Sequence, residues 1–553
     1  MKHEQVQELL EKGLLVSPEL FKENLDFSNL AAFDNAEGPV VLNKTFFQLF
    51  TKKQNTKELN WLEFERAIAF KEKGRNTKTY DTFLELINVE HNPIIKRQLA
   101  TLLQEIKQEV PLTKQELTPE PLPTVVQPDQ YPVIVLKTFK EDLKKREASD
   151  FSTHLRNRYQ GLRKLLSGRT ELQEGLTSIN KLKNKEEREI TSIIGIVYDK
   201  RTTKNGHMEL WLEDITGSIK VLITKDRREA FERAKDIALD EVVGVKGTMG
   251  KNVIFANTVL YPDIPKDHPL KKGPEDIYAA FISDIHVGSK KFLEKEFLNF
   301  INWINGNGPT PEDKIKANKI KYLFVVGDMI DGVGVYPGQE TELAIPDIVK
   351  QYERAAELFG MIRKDLKIII IPGQHDAIRN SEPQPPISKD YAPRFFDYPN
   401  ILLVGNPTFL NIGATKEFEG ITVLMYHGAS FHYFIDNIDS LRLGKARDHP
   451  DILMKFLLQK RHLAVSHAAT VYVPSINEDP MIIDPVPDIF CCGDMHRSAI
   501  ATYNNVQTIN GSCWQAKTNF QEKTGNNPDF CRVPIINLQT RAIEILKFDP
   551  NDH

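Results

Sequence analysis

Cysteine is scarce in this chain and follows no metal-binding pattern. Only Cys491, Cys492, Cys513 and Cys531 occur among 553 residues, and no two are spaced as CxxC. That excludes a structural zinc knuckle, and sparse thiols fit a reducing cytoplasm. Long apolar runs are missing too. None approaches the ~20 residues of a bilayer-spanning helix, so Ile368–Ile371 is expected as a buried strand and no membrane partner is expected. The opening Met1-Lys-His-Glu-Gln5 is polar and leads into an amphipathic segment instead of the apolar core of a signal peptide. Nor is there a surplus of positive charge: 72 Lys and Arg face 76 Asp and Glu, for a formal net charge of −4. Any contact with nucleic acid must come from local basic patches.

What is present is the composition of a soluble globular chain, 41% hydrophobic and 27% charged. Its length implies about three to five folding units. Residues 1–108 read as a helical N-terminal domain. Val6, Leu9, Leu10 and Leu14, then Trp61, Phe64 and Ile68, then Phe83, Leu84, Leu86 and Ile87 recur at helix spacing. Residues 109–135 read as a flexible linker, interrupted by Pro111, Pro119, Pro121, Pro123, Pro128 and Pro132. Residues 136–186 form a basic helical connector. There Lys144, Lys145, Arg146, Arg156, Arg158, Arg163, Lys164 and Arg169 accompany an apolar face of Phe151, Leu155, Tyr159, Leu162, Leu165 and Leu166. Such a helix is either solvated on its basic side and packed on a neighbour, or it touches a phosphate backbone.

Residues 187–268 alternate like strands, with a hairpin signal at Asn205-Gly206 and one helical insertion near Arg228–Lys235. Five short strands with a helix between the third and fourth is the order of an OB-fold β-barrel. Trp211 and Tyr198 are either barrel packing or platforms for single-stranded bases. Residues 269–553 alternate strand and helix. The expected strands are 277–283, 320–326, 367–371, 421–426 and 488–492, the expected helices 293–304, 345–366 and 449–459, with hairpins closing the chain.

A cluster of metal-ligand residue types follows each of those strands. They are Asp284-Ile-His286, Gly327-Asp328-Met-Ile-Asp331, Gly373-Gln374-His375-Asp376, Tyr426-His427-Gly428 and Gly493-Asp494-Met-His496. Asp, His and amide oxygen at strand ends can be gathered into one site, and two divalent ions about 3.5–4 Å apart can share one carboxylate and split phosphate esters. Each cluster alone has an ordinary explanation as a turn, a helix cap or a structural histidine; the ordered set of five favours the metal site.

This set resembles the calcineurin-like metallophosphoesterase superfamily, whose pattern runs D-x-H, G-D, G-N-H-D, H and G-H-x-H. The stretches Phe281–Ser289, Val326–Gln339, Ile371–Ala377, Pro383–Ile387, Arg461–Leu463, Val486–Phe490 and Gly511–Gln515 are more specifically similar to the small, exonuclease subunits of archaeal family D DNA polymerases. Those subunits are related to the B subunits of eukaryotic replicative polymerases. The resemblance implies a C-terminal α/β phosphoesterase domain, a layered β-sandwich flanked by helices. It implies a 3′→5′ exonuclease that proofreads for a large catalytic subunit on another chain, with primer–template and single-stranded DNA as substrate and other replisome proteins as further partners. Two Mn2+ ions are implied, with Mg2+ as the alternative. The first would be held by Asp284, His286, Asp328 and His496, the second by Asp328, Gln374, His427 and Asp494. His375 would serve the scissile phosphate and Asp376 would orient it, with Asp331 behind the ligands. Tyr336, Gln339 and Arg379 would face DNA.

Two departures fall on the second ion. Gln374 stands where the pattern has Asn, and Asp494 where it has His. The longer amide displaces its oxygen, and the carboxylate adds charge and favours a harder cation. The expectation is an intact first site and an altered second one. An active nuclease and a scaffold-only subunit both remain open, with a stand-alone phosphatase as a third reading.

Overall fold

The computed structural model describes residues 14–16, 40–42, 131–139 and 145–549. Leu14–Val16 (β1) and Val40–Leu42 (β2) pair in parallel. The valines of both segments, Val16, Val40 and Val41, are stiff β-formers. Leu14, expected on a helix face, is therefore a strand residue. The rest of the expected helical domain, and the linker before Tyr131, lie outside the described residues.

Val133–Thr138 (β3) crosses the expected linker–connector boundary at 135 and pairs antiparallel with Thr408–Ile412. The apolar, β-branched run after Pro132 belongs to the sandwich described below, not to a linker. Beyond it, the helix Ala148–Ser167 buries Tyr159, Leu162 and Leu166 against Ile194, Val242, Leu260 and Ile482. Arg158 is buried with them. It donates to Asp479 Oδ2 at 2.8 Å and to the Val465 carbonyl at 2.6 Å, so this member of the basic run ties elements together instead of facing solvent.

Ile190–Thr202 (β4), Met208–Asp214 (β5), Gly217–Ile223 (β6), Val242–Gly250 (β7) and Val253–Leu260 (β8) close into a barrel in the order β4-β5-β6-β8-β7. The helix Arg228–Lys235 lies between β6 and β7. Gly206, at φ +73°, takes the left-handed position in the β4–β5 turn. Met208, Leu210 and Leu212 alternate inward as a two-residue strand period requires. On the outer face the Tyr198 and Trp211 rings lie 6.3 Å apart, and Lys220 Nζ stands 5.1 Å above Trp211.

The remainder is built on two six-stranded sheets. The first has Tyr278–Ile282 (β9), Ile320–Val326 (β10), Lys367–Ile371 (β11) and Ile401–Leu403 (β12) in parallel. The second contains Thr408–Ile412 (β13), Ile421–Met425 (β14), Ile489–Cys492 (β15), Ala499–Tyr503 (β16) and Val506–Asn510 (β17), in the order β16-β17-β15-β14-β13-β3. Arg532–Asn537 (β18) and Ile543–Lys547 (β19) complete the first sheet beside β9. Phe281, Phe324, Ile369 and Ile371 of the first sheet pack on Leu410, Val423, Met425 and Ile489 of the second. Helices Glu294–Asn302 and Ile348–Gly360 cover the first sheet's outer face through Phe297, Phe300, Tyr352 and Phe359. Phe431–Asn437 and Pro450–Lys460 cover the second through Phe431, Phe434, Leu453 and Leu457. Strands that bury both faces are near-continuous apolar runs: β11 is four isoleucines after Lys367, and β14 is interrupted only by Thr422. No helix among the described residues is long and apolar enough to cross a membrane.

A buried ion pair joins barrel and sandwich. Lys460 Nζ lies 2.7 Å from Glu241 Oε1, donates to the Asp236 carbonyl at 3.0 Å and sits 3.3 Å from the Tyr261 ring centroid.

Candidate metal centre

Strands β9, β10 and β11 of one sheet and β14 and β15 of the other end beside each other, and their loops interlock through the backbone. Asp284 N–H donates to the Gly327 carbonyl at 3.1 Å, and Ile285 and His286 N–H both donate to the Asp328 carbonyl, at 2.8 and 3.1 Å. Asp494 N–H reaches both Asp284 carboxylate oxygens, at 3.2 and 3.1 Å. Five of the expected ligands hold left-handed backbone: Asp284 (φ +52°), His286 (+54°), Asp328 (+50°), Asp494 (+65°) and His496 (+55°). Such conformations cost about 1–3 kcal/mol each and persist where surrounding structure enforces them, typically at functional sites.

Asp284, His286 and His496 present ligand atoms to one another; so do Asp284, Asp328 and His427, and His286, Asp331 and His375. His286 Nε2 is 3.2 Å from His496 Nε2, which is 3.4 Å from Asp284 Oδ1. His427 Nε2 is 3.2 Å from Asp328 Oδ2. The back of each ring is fixed. His427 Nδ1 donates to the Val326 carbonyl at 2.7 Å, His375 Nδ1 to the Asp331 carbonyl at 2.7 Å, and His286 Nδ1 faces Asp331 Oδ1 at 3.1 Å. A carbonyl only accepts, so His427 and His375 each carry a hydrogen on Nδ1, and Nε2 is the ring atom left for the site. Asp331 lies behind the ligands and is itself held by Gln515 and Gln339 at 2.9 and 3.3 Å.

Three buried atoms here make no hydrogen bond of good geometry: Gln374 Oε1, His427 Nε2 and Asp494 Oδ2, the last two facing the ionisable groups of Asp328 at 3.2 Å and His432 at 3.4 Å. An orphaned buried polar atom is costly, and all three belong to the expected second-ion set. Of this set Asp328 and His427 converge, together with Asp284, and the oxygen and nitrogen donors are of the kind a divalent cation takes. The two departures from the family pattern also touch each other, Gln374 Nε2 donating to Asp494 Oδ1 at 3.1 Å.

The carboxylates draw positive charge into this site, as proton or as metal cation. Burial alone would lower the pKa of His427, but Asp328, with Asp284 and Asp494, raises it well above the usual imidazole range. Asp328 is buried as well, yet His427 and His375 hold it far below the carboxylate range. Burial, then the Asp328 charge, pushes Asp376 up to about 6.

Asp376 does not orient His375. Its carboxylate accepts from Gly373 N–H at 2.9 Å, Met329 N–H at 3.3 Å and the Tyr352 hydroxyl at 3.0 Å, bracing the loop, and the Asp331 carbonyl sets the His375 ring instead. Gln339 does not face outward: it is fully buried, and its amide donates to the Asp331 carbonyl at 2.7 Å. Arg379 is turned onto its own loop, donating to the Pro383 carbonyl at 2.7 Å with its guanidinium 4.9 Å from the Phe139 ring. Tyr336 is half-buried, its ring 6.4 Å from that of His375 and its hydroxyl on Glu342 at 3.1 Å. Sequence reading missed Tyr352, Gln515 and Gln521, whose amide lies 2.9 Å from His496 Nδ1. None of the three belongs to a ligand cluster, and only Gln515 lies in a stretch that carried the resemblance.

Residues 279–501 match the family of the B subunits of DNA polymerases alpha and epsilon. The chain is 40% identical over 391 residues to the DNA polymerase II small subunit of Methanothermobacter thermautotrophicus, covering 71% of this chain and 78% of that one. It is 36% identical to the DNA polymerase II small subunit of Pyrococcus furiosus, covering 72% of this chain and 63% of that one. To that of Halobacterium salinarum it is 35% identical, covering 73% and 75%.

Proposed function

The chain belongs to the family of archaeal DNA polymerase II (family D) small subunits, and from that premise we propose that it carries a metal-dependent 3′→5′ exonuclease that proofreads for a large catalytic subunit. The observation that carries this reading is the trio of orphaned ligand atoms on Gln374, His427 and Asp494, beside the converging Asp284, His286, Asp328 and His496. On this reading the double sheet is a calcineurin-like phosphoesterase domain and the five-stranded barrel an OB-fold. Asp284, His286, Asp328 and His496 would hold one Mn2+ and Asp328, Gln374, His427 and Asp494 a second, with Mg2+ an alternative. Bound there, the ions supply Lewis acidity at the phosphate and hydroxide near neutral pH. His375, its Nδ1 committed to the Asp331 carbonyl, keeps Nε2 for the leaving oxygen of the cleaved nucleotide. Single-stranded DNA has a fitting path on the barrel, where a groove of about 760 Å3 is lined by Trp211, Lys183, Lys220 and Lys251.

One observation favours the scaffold reading: Gln374 Nε2 donates to Asp494 Oδ1, which takes one carboxylate oxygen out of the second ion's set and leaves it Asp494 Oδ2 and Gln374 Oε1. The two readings separate on a primer–template with a mispaired 3′ end, given to this chain assembled with its large subunit. Exonuclease predicts shortening of the primer with Mn2+, loss on chelation and recovery on adding Mn2+ back. Normal polymerisation with no shortening at any Mn2+ concentration would leave a scaffold.

Gly373 offers a sharper probe. A Cβ there would lie 2.1 Å from Asp328 Oδ1, 2.6 Å from Asp328 N and 2.7 Å from His427 Nε2. Its backbone is not left-handed, so alanine adds no dihedral strain and acts through these contacts, two with ligand side chains and one with the Asp328 backbone. Gly373→Ala should move Asp328 and His427 by close to an ångström and cut the cleavage rate about 100-fold, with the assembled complex intact by size-exclusion chromatography.

A further inference from the structure

We infer that His432 is a further ligand of the second ion, closing its outer side. This rests on the two-ion reading above. His432 is the second residue of the helix Phe431–Asn437, which begins four residues after His427. Phe431 and Phe434 anchor that helix in the core, so the position of His432 is set by packing. Gly428, at φ +136°, lets the preceding turn lie against the loop of Asp494: a Cβ there would stand 3.0 Å from the Asp494 Cβ. The result is that His432 Nε2 comes to 3.4 Å from Asp494 Oδ2, the carboxylate oxygen that lacks a hydrogen bond.

Two ligands about 2.1 Å from one cation sit roughly 3.0–3.5 Å apart. His432 Nε2 and Asp494 Oδ2 have that separation, as do His286 Nε2 and His496 Nε2 at 3.2 Å and His427 Nε2 and Asp328 Oδ2 at 3.2 Å. The chemistry is complementary. A carboxylate at 494 adds charge where the family pattern has an imidazole, and an imidazole from the neighbouring helix restores the nitrogen donor. The His432 side chain is 45% exposed against 11% for Asp494, so it stands on the solvent side of that carboxylate. A simple surface ion pair between His432 and Asp494 is the competing explanation, and it predicts no effect on metal binding.

Mn2+ titration of the full chain assembled with its large subunit decides between them, with free Mn2+ read by electron paramagnetic resonance. The parent complex should bind two ions. His432→Ala should keep the tighter one and weaken the other on the order of 10- to 100-fold. His432→Asn, which retains a polar surface group and removes the imidazole, should do the same. Metal-free thermal unfolding should be unchanged in both variants, because the side chain is half in solvent. Two ions bound by either variant as tightly as by the parent would overturn the role of His432 and leave the two-ion reading standing. Fewer than two ions on the parent would overturn both.

Discussion

Alanine at Asp328 is expected to lower primer shortening on the order of 10³-fold or more, about 4 kcal/mol of barrier. Its carboxylate does three things at once. It faces His427 Nε2 at 3.2 Å, accepts the His375 backbone N–H at 2.9 Å, and converges with Asp284 as the one ligand expected on both ions. Its removal unties the loop that carries the phosphate-facing histidine and empties each ion's set by one. The fold should survive, because Asp328 also repels: its charge helps to raise the Asp376 carboxyl and opposes that of Asp284. The check is a mispaired primer–template assay with polymerisation as the internal control. Polymerisation at the parent rate with shortening also at the parent rate would remove Asp328 from the mechanism.

The largest effect on stability is expected at Lys460. Both it and Glu241 are fully buried, and burial shifts the two groups toward neutrality, Glu241 upward and Lys460 downward. Lys460→Met leaves the Glu241 carboxylate without its partner inside the barrel–sandwich junction, which should cost about 3–5 kcal/mol. The double variant Lys460→Met with Glu241→Leu should recover most of that, since replacing both members of a buried pair by apolar groups is often neutral or better. The deficit has a predictable pH dependence. In the single variant Glu241 titrates above its unfolded value, so the native state holds more protons than the unfolded one between those two values. Stability therefore falls as pH rises through that window. Urea unfolding midpoints at several pH values measure this, and a single-variant deficit that does not change with pH would refute the account.

The strands and the ligand clusters were readable because both follow from local chemistry. A strand buried on both faces has to be a continuous apolar run, and Asp, Gly and His at its end mark where the run stops and a turn begins. The barrel was readable for the same reason, from alternation and the Asn205-Gly206 turn. What escaped depended on partners that residue type does not announce. Nothing about Gln339 on its own distinguishes a DNA-facing amide from one satisfied by the Asp331 carbonyl. Gln521 meets His496 across 25 residues without a motif. Asp376, which the resemblance implies would orient His375, braces the loop instead, because the backbone turns the two neighbouring side chains to different partners. The left-handed backbone of the five ligands is not legible from residue type, because Asp and His, though enriched there, adopt it in only a small fraction of their occurrences. Leu14 was misplaced because a three-residue strand is too short to establish a period of two against one of 3.6.

The strand β3 sets a schedule for making this protein. It lies at the edge of the second sheet, and its Thr138 hydroxyl meets that of Thr408, 270 residues later in the chain. At roughly 5–20 residues per second of synthesis, β3 leaves the ribosome about 14 to 54 s before its neighbour exists. The barrel, whose strands all pair within residues 190–260, can close in that interval. The nascent chain thus carries a finished barrel with an unpaired apolar strand ahead of it, and Ile134 and Leu136 remain 48% and 47% exposed even after β3 docks.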